Sequence, residues 1–184
     1  MKNIKLFFAV SLLFLLCSFS SADWIVFLSH DGTFKISFPQ EPEVLKHVVE
    51  TGIIPVKSRL IKYDVGKFKD DNQTYQLIYS DYPDSLISSD YKTKITDTFL
   101  KNMIFTTRDE LKGRVVSIDN LNYKNFPGRH IRFTYDNGRS VMNMKMYLIK
   151  SRLYMLMVQC ETSNNNNLSM DKFFDSFELV ENKN

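Results

Sequence analysis

The sequence predicts an α+β fold: an α/β/α sandwich around a central, mostly antiparallel sheet of about six or more strands. Three observations carry this expectation. Most of the chain alternates apolar and polar residues with the period of a strand. One stretch, from about Ser89 to Leu111, switches to the period of a helix. One strand, RLYMLMVQC (152–160), is apolar on both faces, so layers must cover it from both sides.

The first residues stand apart from that fold. MKNIK carries Lys2 and Lys5, residues 6–19 are almost wholly apolar, and SSADW follows. A basic start, an apolar stretch and small residues read as a secretory signal over residues 1–22, cut between Ala22 and Asp23. The apolar run is shorter than the ~20 residues a spanning helix needs. The mature chain is therefore expected to be exported to the periplasm or the outside, with no membrane span after signal removal. The alternative is lipid anchoring at Cys17, though Leu15 and Leu16 stand where a lipidation signal has a small residue.

Residues 23–184 read as one globular domain. The chain is 43% hydrophobic and 14% aromatic, enough for a core and too apolar for a disordered chain. TFKISF (33–38), VLKHVVE (44–50), VKSRLIKYDV (56–65) and TYQLIYSDY (74–82) are strands, broken by PQEP, TGIIP and a polar loop. The long helix, about 89–111, repeats Ile95, Phe99 and Met103 in one row and Leu100, Ile104 and Leu111 in the next. Ser88, Ser89 and Asp90 are its N-cap candidates, and Gly113 is its stop. RVVSIDNL (114–121) returns to strand. SNNNN (163–167) is a loop, residues 169–176 form a short C-terminal helix, and a last strand runs near 177–180.

NFPGRHIRFTYDNGRS (125–140) raises the question of function most directly. Taking Asn137-Gly138 as a two-residue turn places Tyr135 opposite Ser140, Phe133 opposite Met142 and Ile131 opposite Met144. A second turn at Lys150-Ser151 sets Leu148 against Leu153. The polar side of this hairpin then gathers His130, Arg132 and Lys145, with Arg129 at its start. Such a face fits a carboxylate or an acidic partner. It fits equally a strand face turned to water, with arginine stems lying under a helix.

Other chemistry is sparse. His30, His47 and His130 have no second ligand at metal spacing, and no G-x-S-x-G, H-E-x-x-H, phosphate-loop or Ca²⁺-loop pattern occurs. SHDG (29–32) reads as a turn. Asp64, Asp81, Asp84 and Asp90 lie near strand ends and loops, where the sequence does not show pairing. Once the signal leaves, Cys160 is alone, so no internal disulfide is expected; its setting in MLMVQC suits a buried small apolar residue. Asn72 (NQT) and Asn167 (NLS) are sequons that matter only in a eukaryotic route. The net charge of +3 drops to about +1 without Lys2 and Lys5, too balanced to draw nucleic acid or an anionic membrane by bulk field.

Trp24, DGTFKISFPQEP, YQLIYSDYP, the helix, FPGRHI, RLYMLMV and FFDSFEL follow one another in an order that resembles small exported bacterial proteins of unassigned function with a PsbP-like α/β/α sandwich. The resemblance spans most of residues 24–180. It implies a binding or assembly module rather than an enzyme, and no metal or cofactor residue carries over with it. The expectation is thus an exported, non-enzymatic module of the cell envelope, without cofactor, whose partner is an envelope protein. The alternative is a small-ligand binder or enzyme with a pocket between the sheet and the long helix.

Overall fold

The computed structural model describes residues 23–50, 55–66 and 70–180, with only the backbone at 47–50 and 55. The expected signal at 1–22 with Cys17 and the Ala22 side of its expected cleavage point, the break expected at 51–54 and residues 67–69 lie outside these. So do the last four residues. Among the described residues no helix is long and apolar enough to cross a membrane.

Seven antiparallel strands form the main sheet: β3 (Glu43–Glu50), β4 (Pro55–Asp64), β5 (Asn72–Asp81), β6 (Arg114–Tyr123), β7 (Phe126–Tyr135), β8 (Ser140–Ile149) and β9 (Arg152–Glu161). Their order is β3-β4-β5-β9-β8-β7-β6. The doubly apolar strand β9 is therefore central. Its Leu153 and Met157 enter the core on one side, and Tyr154, Leu156 and Val158 enter the core on the other. The predicted register holds, with Tyr135 opposite Ser140, Phe133 opposite Met142 and Leu148 opposite Leu153. A one-residue slip would have carried the apolar row of β7 into the wrong layer.

One face of the sheet is covered by α1 (Thr93–Glu110), whose Leu100 and Ile104 pack on Ile131, Phe133, Met144, Met146 and Leu148. The other is covered by α2 (Leu168–Asp175) together with a small second sheet, β1 (Ile25–Leu28), β2 (Phe34–Phe38) and β10 (Glu178–Leu179), in the order β1-β2-β10. Phe34, Ile36 and Phe38 of β2 and Phe173 and Phe177 from the C-terminal stretch fill the space above Tyr75, Tyr79 and Tyr154. The layers are those of an α/β/α sandwich in which a strand layer shares one side with the short helix. TFKISF is a strand as predicted, but it pairs with β1 and β10.

Two boundaries move, each for a local reason. The long helix begins at Thr93 with Lys92 as its cap residue, later than Ser88, Ser89 or Asp90. The two serines are already occupied. Ser88 Oγ accepts from the Asp90 N–H at 3.2 Å, and Ser89 Oγ accepts from the Lys150 N–H at 3.0 Å. The Ser89 N–H in turn donates to the Lys150 carbonyl at 2.8 Å, so the segment before α1 is pinned to the β8–β9 turn. At the other end Lys112, at φ 50°, takes the left-handed position that Gly113 was expected to take.

Candidate functional site

The basic face read from the hairpin assembles in part. His130 stands opposite Lys145, and Arg132 opposite Asn143, on one side of β7 and β8. Arg129 does not join them. Side chains alternate along a strand, so its guanidinium leaves by the other face and donates to Asp97 of α1. Its place in the candidate contact face is corrected to a tie between β7 and the long helix.

The remaining three residues are not bare. Lys145 lies 4.9 Å over the Phe174 ring and 3.6 Å from the Asp175 carboxylate. The His130 ring meets the same Phe174 edge-on at 6.3 Å. Burial holds the His130 imidazole below its ordinary pKa, helped by Lys145 and Arg132 and opposed by Asp119 and Asp171. Arg132 donates to Asn143 Oδ1 at 3.3 Å and to Asn166 Oδ1 at 3.2 Å. The face is the seat on which α2 and the asparagine loop rest.

That loop is the part the sequence left as a plain connection. Asn167 caps α2 by accepting from the Met170 N–H at 2.8 Å. Asn72 and Asn167 also exchange side-chain amide hydrogen bonds at 2.9 and 2.8 Å. Asn72 is 2% exposed and donates to the Tyr75 hydroxyl at 2.7 Å, while that hydroxyl donates to Asp70. Both sequon asparagines are thus spent on each other. Cys160 is fully buried and burial pushes its thiol up to about 11, which suits a packing residue.

A second polar cluster joins the two sheets. The Arg152 guanidinium donates to Asp81, to Asp31 at 2.7 Å and to Thr33 Oγ1 at 2.8 Å, and lies 5.0 Å over the Tyr79 ring. Burial works against the Asp31 carboxylate. Hydrogen bonds from Thr33 and Ser29 and the Arg152 charge outweigh it and hold the carboxyl well below its usual range. SHDG is the turn that presents Asp31 to this clamp. Among the described residues no group of three or more His, Cys, Asp or Glu is arranged to hold a metal ion.

One open site lies on the flank of α1. A groove of about 600 Å³ runs between the helix and the segment after β5. Ile95, Phe99 and Met103 form the helix wall; Tyr82, Leu86 and Ile87 form the other. Tyr82 and Phe99 brace the two walls edge to face at 5.1 Å. Thr98 and Asn102 supply polar atoms, and Lys94 is the one charged residue in the lining. The two apolar rows of the helix have therefore divided. Leu100 and Ile104 went into the core, and the row of Ile95, Phe99 and Met103 borders the groove. The signal was present in the sequence as an apolar stripe two rows wide.

The fold can be placed among known structures. The chain superposes on the solution structure of cyanobacterial PsbP, CyanoP from Synechocystis sp. PCC 6803, with a TM-score of 0.53 over 89% of this chain and 96% of that one, at 10% identity. The chain has a PsbP-like fold. A Pseudomonas aeruginosa protein of unknown function aligns at a TM-score of 0.40 and 6% identity, over 77% of this chain and 85% of that one. In sequence, 70 residues are 37% identical to ribosomal RNA small subunit methyltransferase A of Borreliella burgdorferi, 37% of this chain. The chain spans only 25% of the length of that relative. No protein-family model matches the chain. In the PsbP-like frame, the groove lies outside the sheet, on the solvent side of the layer that α1 provides.

Proposed function

We propose that this chain is an exported, non-enzymatic binding or assembly module of the cell envelope that engages a partner protein through the groove beside α1. The groove carries the reading. A concave, mostly apolar lining with a few polar atoms at its rim is the usual form of a binding site. Here Ile95 remains 47% exposed beside half-buried Leu86, Phe99 and Met103. The leader at 1–22 supports export, and the PsbP-like fold supports a binding role by analogy. The basic face on β7 and β8 is the weaker contact surface, since α2 and Asn166 already engage His130, Arg132 and Lys145.

A small-ligand pocket between sheet and long helix is the competing reading. The layer between them is packed by Leu100, Ile104, Ile131, Phe133, Met144 and Met146, all but fully buried. The open volume lies beside the helix.

The test is capture from an envelope extract with the wild-type chain, Ile95→Glu and Arg132→Ala. The wild type and Arg132→Ala should recover the same partner, and Ile95→Glu should lose it. A partner lost with Arg132→Ala and kept with Ile95→Glu would move the site to the basic face, and no partner in any arm would remove the reading.

A further inference from the structure

We infer that the groove beside α1 takes an apolar segment of a partner protein with an acidic residue at its edge, an inference that rests on the groove being the binding site. The first observation is an unanswered charge. Lys94 lines the groove, and among the described residues its ammonium forms no ion pair with a carboxylate. Asp97, less than one helical turn further on, is committed to Arg129. Lys101 sits 5.7 Å over the Phe105 ring and, among the described residues, likewise pairs with no carboxylate. Asp84 and Asp90 belong to the segment before α1 but do not line the groove. A bound segment thus meets an apolar floor with one cation at its mouth, and an Asp or Glu beside its apolar anchors would answer that cation.

The second observation is the shape. A small-molecule site buries some 70–90% of its ligand. This groove has two walls, one helix flank and one loop, and leaves Ile95 nearly half exposed. It can cover one side of an occupant only. A peptide segment lying along a helix needs one side covered, with anchors at helical spacing on the buried side and its polar side in water. From Ile95 to Met103 the helix wall runs about 12 Å, room for about two turns of such a segment and two or three apolar anchors. Thr98 and Asn102 along the rim can meet its flanking polar groups.

The experiment places the photo-crosslinking residue p-benzoylphenylalanine at position 98 of the full chain in producing cells, and maps the adduct by mass spectrometry. A parallel chain carries the same group at position 145, on the basic face. The expected adduct at position 98 lies in a segment of another envelope protein, with an Asp or Glu within one turn of two or more apolar residues. Lys94→Glu should lower its yield about tenfold, and Lys94→Arg should restore it. An adduct with a lipid, with a second copy of this chain or with a segment lacking an acid, or a yield unmoved by Lys94→Glu, overturns the inference and leaves the groove as the binding site. Absence of an adduct at position 98 overturns both, whatever position 145 yields.

Discussion

At Gly128 a single missing methyl group decides whether β7 can lie against β8. A Cβ there would stand 2.5 Å from the Met146 carbonyl oxygen and 2.7 Å from the Tyr147 ring. Neither can retreat easily. Met146 is buried in the sheet, and the Tyr147 ring stacks on Phe177 at 6.0 Å and meets Tyr123 at 5.5 Å. Gly128→Ala should therefore cost about 1–3 kcal/mol, as overpacking does, read as a lower urea midpoint at unchanged slope. A midpoint within error of the wild type would contradict that account. Pro127 and Gly128 lie inside β7; the turn comes three residues before Pro127, where Lys124 has φ 53°, and the glycine is there for packing. Register places Gly128 opposite Tyr147, but how closely the two backbones approach there leaves no mark in the sequence. His130 and Lys145, by contrast, were legible as a pair because hairpin register is simple counting from the turn.

Elements were legible in proportion to their length. The helix of 18 residues and the ten-residue strands β7, β8 and β9 show their periods plainly. Strand β1 has four residues, too few to display alternation; the last strand was expected near 177–180 and lies at Glu178–Leu179, but its pairing with β2 from the other end of the chain leaves no local signal. The seat of α2 follows the same logic. Its residues read as a short helix, but not that Phe174 would cover His130 and Lys145. That contact makes a pH prediction. In the folded chain burial and the neighbouring Lys145 and Arg132 hold the His130 pKa below its unfolded value, with Asp119 and Asp171 opposing less. Below the unfolded value, about 6.5, the unfolded chain therefore binds more protons, and the stability that His130 contributes above it is lost as pH falls. Between about pH 7.5 and about pH 5.5 the wild type should lose more unfolding free energy than His130→Gln. His30 and His47 are present in both chains and cancel. Equal losses would contradict the assignment.

The described residues form two sheets and two helices, held together by aromatic packing and by polar ties between the layers. Phe34 meets Tyr79 at 5.2 Å and Tyr154 at 5.5 Å, and Arg152 ties Asp31 and Thr33 of the small sheet's turn to Asp81 on β5. The charged groups that looked available in the sequence are mostly consumed by such internal work. Arg129 fastens α1, Lys145 and Arg132 seat α2 and its loop, and Arg152 joins the sheets. Ile95 stays 47% exposed, and half-buried Phe99 and Met103 border the groove with Lys94. The sequence shows both rows as one apolar stripe, and packing decides which of them is core.

The binding site on α1 is tested most directly by backbone hydrogen exchange, measured on the chain alone and with its captured partner. The account predicts slower exchange in residues 82–103, with the β7–β8 hairpin at 126–149 unchanged. Slower exchange confined to 126–149, with 82–103 unchanged, would contradict it.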